Sequence, residues 1–244
     1  MDRLGDLANR SYKNSQFTFT NFLSLSELSD FYMMEKELSF AKPVLFGGAE
    51  VAERKMIRFG DPEMLGYEES FPIVCLLVKP LMDKFSDALS HRDYLGALMN
   101  LGIEREMLGD IYIDGHNAII FCVEKMADYI IEELTRVKHT SVIASRLEGE
   151  YVLPETSKEK LTVQVASERV DAVVARVFKL SRDDSIELFR EKKVFINSRL
   201  VTGNDTRLKE GDRVSVRGFG KFDVFGQGSI SKKGKLNINV LLYK

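Results

Sequence analysis

The chain has 244 residues, of which 35 are basic and 37 acidic, for a formal net charge of −2; that length admits one large domain or a few small ones. It holds no apolar run of about 18 residues, and its first residues, MDRLGDLANR, lack a secretory apolar region, so the expectation is a soluble, cytoplasmic protein with no membrane partner. The charge is uneven: positions 155–244 carry 19 basic and 12 acidic residues against 16 and 25 before them, which points either to a polyanion held at one end or to a solvated charged surface.

Positions 1–70 form a mixed segment. Ser24 or Ser26 is placed to cap a helix over Glu27–Leu38, with Leu28, Phe31 and Tyr32 on one face and Glu35 and Lys36 outward. An apolar strand, Pro43–Phe46, runs into the sharp turn Gly47-Gly48. The cluster Glu53-Arg54-Lys55 lies beside apolar Met56 and Ile57. It reads either as a backbone-phosphate contact through Arg54 and Lys55 or as a solvated turn edge.

Positions 71–150 show a clearer alternation. Phe71–Lys79 reads as a strand, and Ser90–Asn100 as a helix with Leu95, Leu98 and Met99 inward. Strands Met107–Ile113 and Ala118–Val123 flank the turn Asp114-Gly115-His116-Asn117. Ile130, Ile131 and Leu134 give Met126–Val137 a helical period, and Ser141–Leu147 closes the set as a strand. This β-α-β-β-α-β order predicts an α+β, ferredoxin-like domain of the kind seen in RNA-recognition motifs. Such motifs stack bases on exposed strand aromatics; here only Tyr112 and Phe121 qualify, and both also suit a core. Cys75 and Cys122, the only cysteines, lie in apolar strand-like runs and are expected as reduced core residues.

Positions 151–165, YVLPETSKEKLTVQV, read as a connector that becomes the first strand of a last domain spanning 151–244. Val170, Val173, Val174 and Val177 recur at helical spacing and should face a core. On that helix Arg169, Arg176 and Lys179 fall within roughly an 80° arc at 3.6 residues per turn. Ser181-Arg182-Asp183-Asp184 is a capping box that fixes the start of a second helix. Arg182 then sits in the first turn, where free N–H groups and the helix dipole favour an anion. Lys192 and Lys193 follow, and Asn197, ending the β-rich run Val194–Ile196, has the groups to read a base edge or a 2′-hydroxyl. Each residue alone is a common structural or solvated group. Together Arg169, Arg176, Lys179, Ser181, Arg182, Lys192 and Lys193 predict an RNA-backbone surface, with Asn197 adding local specificity.

Farther on, Gly211-Asp212 makes a turn, after which Val214 and Val216 face inward and Arg213, Ser215 and Arg217 outward. Gly218-Phe219-Gly220-Lys221 is not a phosphate loop. That motif needs four residues between its glycines, a Ser or Thr after the Lys and a following helix, whereas a strand, Phe222–Phe225, is expected here and the glycines mark a bend. Ser231-Lys232-Lys233-Gly234-Lys235 reads as a basic hairpin tip. Clustering adds Arg217, Lys232, Lys233 and Lys235 to the RNA contacts, although lysines also protect an exposed sheet edge. Leu236, Ile238, Val240 and Leu242 then alternate with Asn237, Asn239 and Leu241 as a half-buried strand.

From Glu168 to Arg217 this basic helix–turn–helix, short strand, polar turn and second strand resembles the small RNA-binding module named after ribosomal protein S four. Nearly the whole chain resembles the YlmH family of bacterial proteins, encoded near cell-division genes, with an S-four-type domain at the C-terminus. The resemblance rests on TNFLSLSELSDF (Thr20–Phe31), FGGAEVAERK (Phe46–Lys55), HRDYLGALMNLGIEREMLGDI (His91–Ile111) and VRGFGKF with the downstream SKKGK. It implies non-catalytic binding of ribosomal RNA or tRNA. By analogy with small heat-shock relatives carrying the module, it also implies action on the large ribosomal subunit holding peptidyl-tRNA, in translation rescue or quality control. No cofactor or small-molecule substrate is implied, and nothing in the sequence demands a dimer, so a monomer is expected.

His91-Arg92-Asp93 mimics a kinase catalytic loop, but no Gly-rich loop, strand Lys or Asp-Phe-Gly accompanies it. It reads instead as a helix start, placing His91 and Arg92 either near RNA or in a structural role. His116 and His139 are isolated, and no metal-ligand spacing occurs. S-four-type domains are also found fused to pseudouridine synthases and tyrosyl-tRNA synthetases, whose motifs are absent here. The alternatives left open are an RNA-modifying enzyme with an unrecognised site and a cell-division adaptor using the acidic N-terminal body.

Overall fold

The computed structural model describes residues 3–82, 88–149, 152–154, 157–230 and 234–243. The chain forms two units, Met1–Glu27 with Met33–Pro154, and Leu28–Tyr32 with Glu155–Lys244.

The first unit starts with a helix, α1 (Arg3–Asn14), that the sequence pattern does not announce; Leu4, Ala8 and Ser11 recur on one side and are buried. A short strand β1 (Thr18–Phe19) leads to α2 (Leu25–Leu38). Of the two candidate caps Ser24 is the one used. Its hydroxyl accepts from Glu27 N at 3.4 Å while the Glu27 carboxylate accepts from Ser24 N at 2.8 Å. Strands β2 (Val44–Phe46) and β3 (Met56–Phe59) join β1 in an antiparallel sheet ordered β1-β3-β2. A single turn of helix, α3 (Pro62–Leu65), follows, capped by Asp61 with Pro at its first position.

The same unit continues with β4 (Ile73–Pro80), α4 (His91–Asn100), β5 (Leu108–Asp114), β6 (Asn117–Val123), α5 (Glu124–Glu133), β7 (Arg136–Val137) and β8 (Thr140–Arg146). The sheet order is β5-β6-β4-β8-β7, antiparallel throughout. One helix ends earlier than its period predicts. α5 stops at Glu133, and Arg136–Val137 instead pair with Ser141 and Thr140, which buries Val137 in the sheet.

Both faces of this sheet are covered. Val74 pairs with Cys122 on the face packed by Tyr94 and Leu98 of α4 and Ala127 and Ile130 of α5. Cys75 pairs with Phe121 on the other, where Phe22 and Met56 pack over Ile119, Phe121 and Val123. The Gly47-Gly48 turn explains how the chain approaches so closely. A Cβ at Gly48 (φ +92°) would lie 2.3 Å from the Phe121 ring, and one at Gly47 would lie 2.3 Å from the Arg54 carbonyl oxygen. Phe121 is therefore core and is not offered to a base. Cys75 and Cys122 are likewise buried and form no disulfide, and burial pushes the Cys122 thiol up to about 12.

The second unit is a six-stranded antiparallel sheet ordered β11-β10-β12-β13-β14-β9 with two helices inserted after its first strand. Its elements are β9 (Lys158–Val165), α6 (Val170–Val177), α7 (Arg182–Arg190), β10 (Val194–Ile196), β11 (Arg199–Leu200), β12 (Arg213–Val216), β13 (Gly220–Ile230) and β14 (Leu236–Tyr243). The four valines of α6 are buried against Leu188 and Phe189 of α7 and against Val214, Val216, Phe222, Ile238 and Val240 of the sheet. Each such side chain contributes about 1.5–3 kcal/mol by leaving water. Arg217-Gly218-Phe219 form the tight turn between β12 and β13, with Gly218 at φ +85° and Gly220 at φ +126°. Among the described residues no helix is long and apolar enough to cross a membrane.

Candidate nucleic-acid interface

Where β9 ends, four residues carry the chain into α6, and the last of them, Arg169, is the helix N-cap. Asp171, buried at the start of α6, holds that arginine by a fork. Arg169 Nε donates to one carboxylate oxygen at 3.0 Å and Nη2 to the other at 2.7 Å, while Ala172 N donates to the same carboxylate at 2.8 Å. This pairing raises the Arg169 guanidinium above its usual range. The Ser185 hydroxyl donates to the Asp171 carbonyl at 2.8 Å and ties α7 to α6. At the start of α7 the capping box forms as its spacing predicts: the Ser181 hydroxyl accepts from Asp184 N at 3.1 Å and donates to the Asp184 carboxylate at 2.6 Å. Ser181 is thus committed to the cap, and Arg182 is set in the first turn of α7.

Between these elements lies a cavity of about 510 Å³ whose walls include Arg169, Arg176, Arg182, Lys235, Gln164 and Ser167. Four cations, from the α6 cap, α6, α7 and the residue before β14, converge there. The one carboxylate among the lining residues, Asp171, is already taken by Arg169. Arg176 and Arg182 are exposed, and among the described residues neither has an ion-pair partner. Such a cavity suits a phosphate, with Gln164 and Ser167 supplying neutral hydrogen bonds.

The remaining predicted cations sit elsewhere on this unit. Lys179 does not extend the arc of Arg169 and Arg176, because α6 ends at Val177. Lys179 instead takes a left-handed conformation (φ +56°) while Leu180 N donates to the Ala175 carbonyl at 2.8 Å. Lys192 repeats this after α7 (φ +55°), where Lys193 N donates to the Leu188 carbonyl at 2.9 Å. Both are helix-ending Schellman motifs with lysine where glycine is usual, and each places a cation at the negative end of a helix. Lys193 pairs with Glu191 at 2.7 Å, and the Arg217 guanidinium lies over the Phe195 ring at 5.1 Å. Lys232 and Lys233 lie outside the described residues.

Asn197 has a structural task. Asn197 (φ +51°) and Ser198 (φ +63°) make the two-residue turn between β10 and β11, which requires positive φ at both positions. The Asn197 amide donates to Asp212 at 2.9 Å and accepts from Arg213 N at 3.0 Å. Two of its hydrogen-bonding positions are therefore occupied in holding the loop. Sequence reasoning also misses Lys158, Arg213 and Lys221, which gather around the Tyr243 ring at 4.5, 5.3 and 4.4 Å. That group depends on the register that sets Tyr243 opposite Lys158 and Arg213 opposite Asp223, which no local pattern reveals.

In the first unit the candidate cations fare differently. Arg54 has a structural task. Its guanidinium donates to the carbonyls of Leu108 (2.9 Å), Phe22 (3.0 Å) and Arg105 (3.1 Å), and the Asp110 carboxylate accepts from Glu53 N and Arg54 N. Burial lowers its pKa, and three of its donor bonds stitch the N-terminal segment to β5 and its approach. Lys55 is half-buried beside it, its carbonyl accepting from Leu23 N at 2.8 Å. His91 and Arg92 are exposed in the first turn of α4. Asp93 closes the cap there, accepting from Ser90 N at 2.8 Å and pairing with Lys138 at 2.9 Å. The backbone hydrogen bond from Ser90, aided by Lys138, pulls its pKa down to about 2, too low for a general base near neutrality. Among the described residues no cluster of His, Cys, Asp and Glu is placed to hold a metal.

Residues 68–150 match the family model described as "Putative RNA-binding domain in YlmH". The chain is 32% identical over 195 residues to the ribosome-associated protein quality control protein P2 of Bacillus subtilis (strain 168), an alignment covering 79% of this chain and 74% of that protein. Among solved structures it is similar to the cell division protein ylmH from Streptococcus pneumoniae. That match has 18% identity and a TM-score of 0.47, covering 60% of this chain and 88% of the other.

Proposed function

This chain belongs to the YlmH family, and from that premise we propose that it binds structured RNA through the cationic cavity of its second unit and catalyses no reaction on it. The observation that carries the reading is the convergence of Arg169, Arg176, Arg182 and Lys235 on one cavity whose lining carboxylate is already neutralised by Arg169. A phosphate entering it meets preorganised donors and a net positive field, so binding needs little rearrangement. Lys179, Lys192, Lys193 and Arg217 extend the contact as outlying backbone sites, together with Lys232 and Lys233.

The target is ribosomal RNA and tRNA on the large ribosomal subunit, and the task is translation rescue or quality control in the cytoplasm. The support is the relative named for ribosome-associated protein quality control. The antiparallel order β5-β6-β4-β8, with α4 and α5 packed on one face, supports a ferredoxin-like reading of 71–150. The helix pair α6–α7 followed by the β10–β11 hairpin supports an S-four-type reading of 151–244, with 1–70 as a separate N-terminal segment.

The test is ultraviolet cross-linking of the full chain in living cells, followed by sequencing of the attached RNA. Reads concentrated in large-subunit ribosomal RNA and tRNA are expected. Reads confined to messenger RNA would refute the ribosomal assignment, and no attached RNA would refute RNA binding.

A further inference from the structure

A second cavity, of about 630 Å³, lies in the first unit beside the covered sheet face, and the phosphate site leaves it unused. Its volume falls within the roughly 300–1,000 Å³ of small-ligand pockets. Phe46, Phe71 and Arg58 line it, with the buried Phe121 contributing to its wall. The Phe46 and Phe71 rings stand 5.5 Å apart, tilted by 55°, and Phe46 is exposed although it lies on a strand.

Arg58 is the unusual member. It is only 7% exposed, and its guanidinium lies between the rings of Phe17 (4.9 Å) and Phe71 (5.6 Å). It donates to Glu68 at 3.2 Å and to the Glu69 carbonyl at 2.7 Å, yet its Nε is buried with no hydrogen-bond partner. Burying a donor without an acceptor costs about 1–3 kcal/mol, so Arg58 is held here at a cost to the fold.

We propose that this cavity takes one unstacked nucleobase of the bound RNA, an inference that rests on the RNA-binding function proposed above. Aromatic faces with an adjacent guanidinium are the chemistry that holds a splayed-out base, whose ring carbonyls and nitrogens supply acceptors. Ten of the fifteen residues lining the cavity fall within 68–150, the segment that matches the RNA-binding model. Phe121 is under the N-terminal segment, so the sheet face that usually stacks bases is covered there, and the cavity beside it presents the Phe46 and Phe71 rings instead. Positions 1–154 carry 16 basic and 25 acidic residues, which disfavours a tract of phosphates there and favours a single uncharged base.

Filter binding of purified large-subunit ribosomal RNA to the full chain tests this, using wild type, Phe46→Ala, Phe46→Trp and Arg176→Ala/Arg182→Ala at several salt concentrations. Loss of base stacking should weaken the Phe46→Ala chain roughly five- to 150-fold. Its salt slope should stay unchanged, because its phosphate-binding cations are intact, and Phe46→Trp should restore affinity. Wild-type affinity in Phe46→Ala would overturn the inference and leave RNA binding standing, as would a loss that Phe46→Trp does not reverse. No binding by the wild-type chain would overturn both.

Discussion

Replacing Arg176 and Arg182 together by alanine tests the cationic cavity at its least encumbered point. Both side chains are exposed and, among the described residues, lack an ion-pair partner, so their removal leaves no buried charge unpaired and should cost the fold little. Their effect on RNA is separable from stability because a cation that neutralises a phosphate releases counterions. Removing one such cation should lower the slope of log affinity against log salt by about 0.9 on a duplex or about 0.7 on a single strand. Removing two changes it by about 1.4 to 1.8, so the gap between wild type and variant should shrink roughly tenfold from about 50 to about 200 mM salt. Filter binding across that range, with thermal unfolding as a check of the fold, measures this directly. A variant that binds more weakly with an unchanged slope would refute the phosphate assignment, as would a variant that binds like wild type. Arg169→Ala is the wrong probe, since it strands the buried Asp171 carboxylate and mixes folding with binding.

Other expectations follow from individual residues. Arg54→Met leaves three carbonyls without their charged donor and should cost about 3–5 kcal/mol in urea unfolding, with little effect on RNA affinity of the folded fraction. Gly48→Ala drives a methyl into the Phe121 ring from a positive-φ position, and should destabilise by about 2 kcal/mol or more in the same assay. Lys192→Gly relieves a left-handed lysine and should stabilise the fold by up to about 1 kcal/mol while weakening RNA binding, an opposition that a purely structural lysine would not give. The folded pKa of Asp93, about 2 against an ordinary 3.8, is depressed, so its contribution is complete above that ordinary value and is lost as pH falls from there towards 2. Asp93→Asn should flatten the acid side of the stability profile measured by thermal unfolding between those values.

What the sequence makes legible is local. Ser181 with Asp184 is a four-residue pattern that forms a capping box where the spacing puts it, and Ser24, one of two candidate caps, closes another with Glu27. Periodicity likewise places the α6 valines and the strands and helices of 71–150 to within a few residues. Long-range partners are not legible. Arg54 looks like a surface cation until Phe22, Arg105 and Leu108 are brought to it from distant parts of the chain. Lys179 joins the arc of Arg169 and Arg176 only if α6 continues past Val177, and a Schellman turn ends it first. Val137 keeps a helical period with Leu134 but gains more by pairing in the sheet. The cationic cavity falls between these cases. Three of its cations lie close together in sequence, while Lys235 arrives through the β13–β14 hairpin and Gln164 through the end of β9.

The most direct test of the central claim is co-sedimentation of the full chain with separated ribosomal subunits at low and moderate salt, sequencing the RNA retained. The account predicts retention on the large subunit with tRNA recovered, weakening as salt rises and reduced in Arg176→Ala/Arg182→Ala, most strongly at low salt. Retention on neither subunit, or equal retention of wild type and variant at every salt concentration, would contradict it.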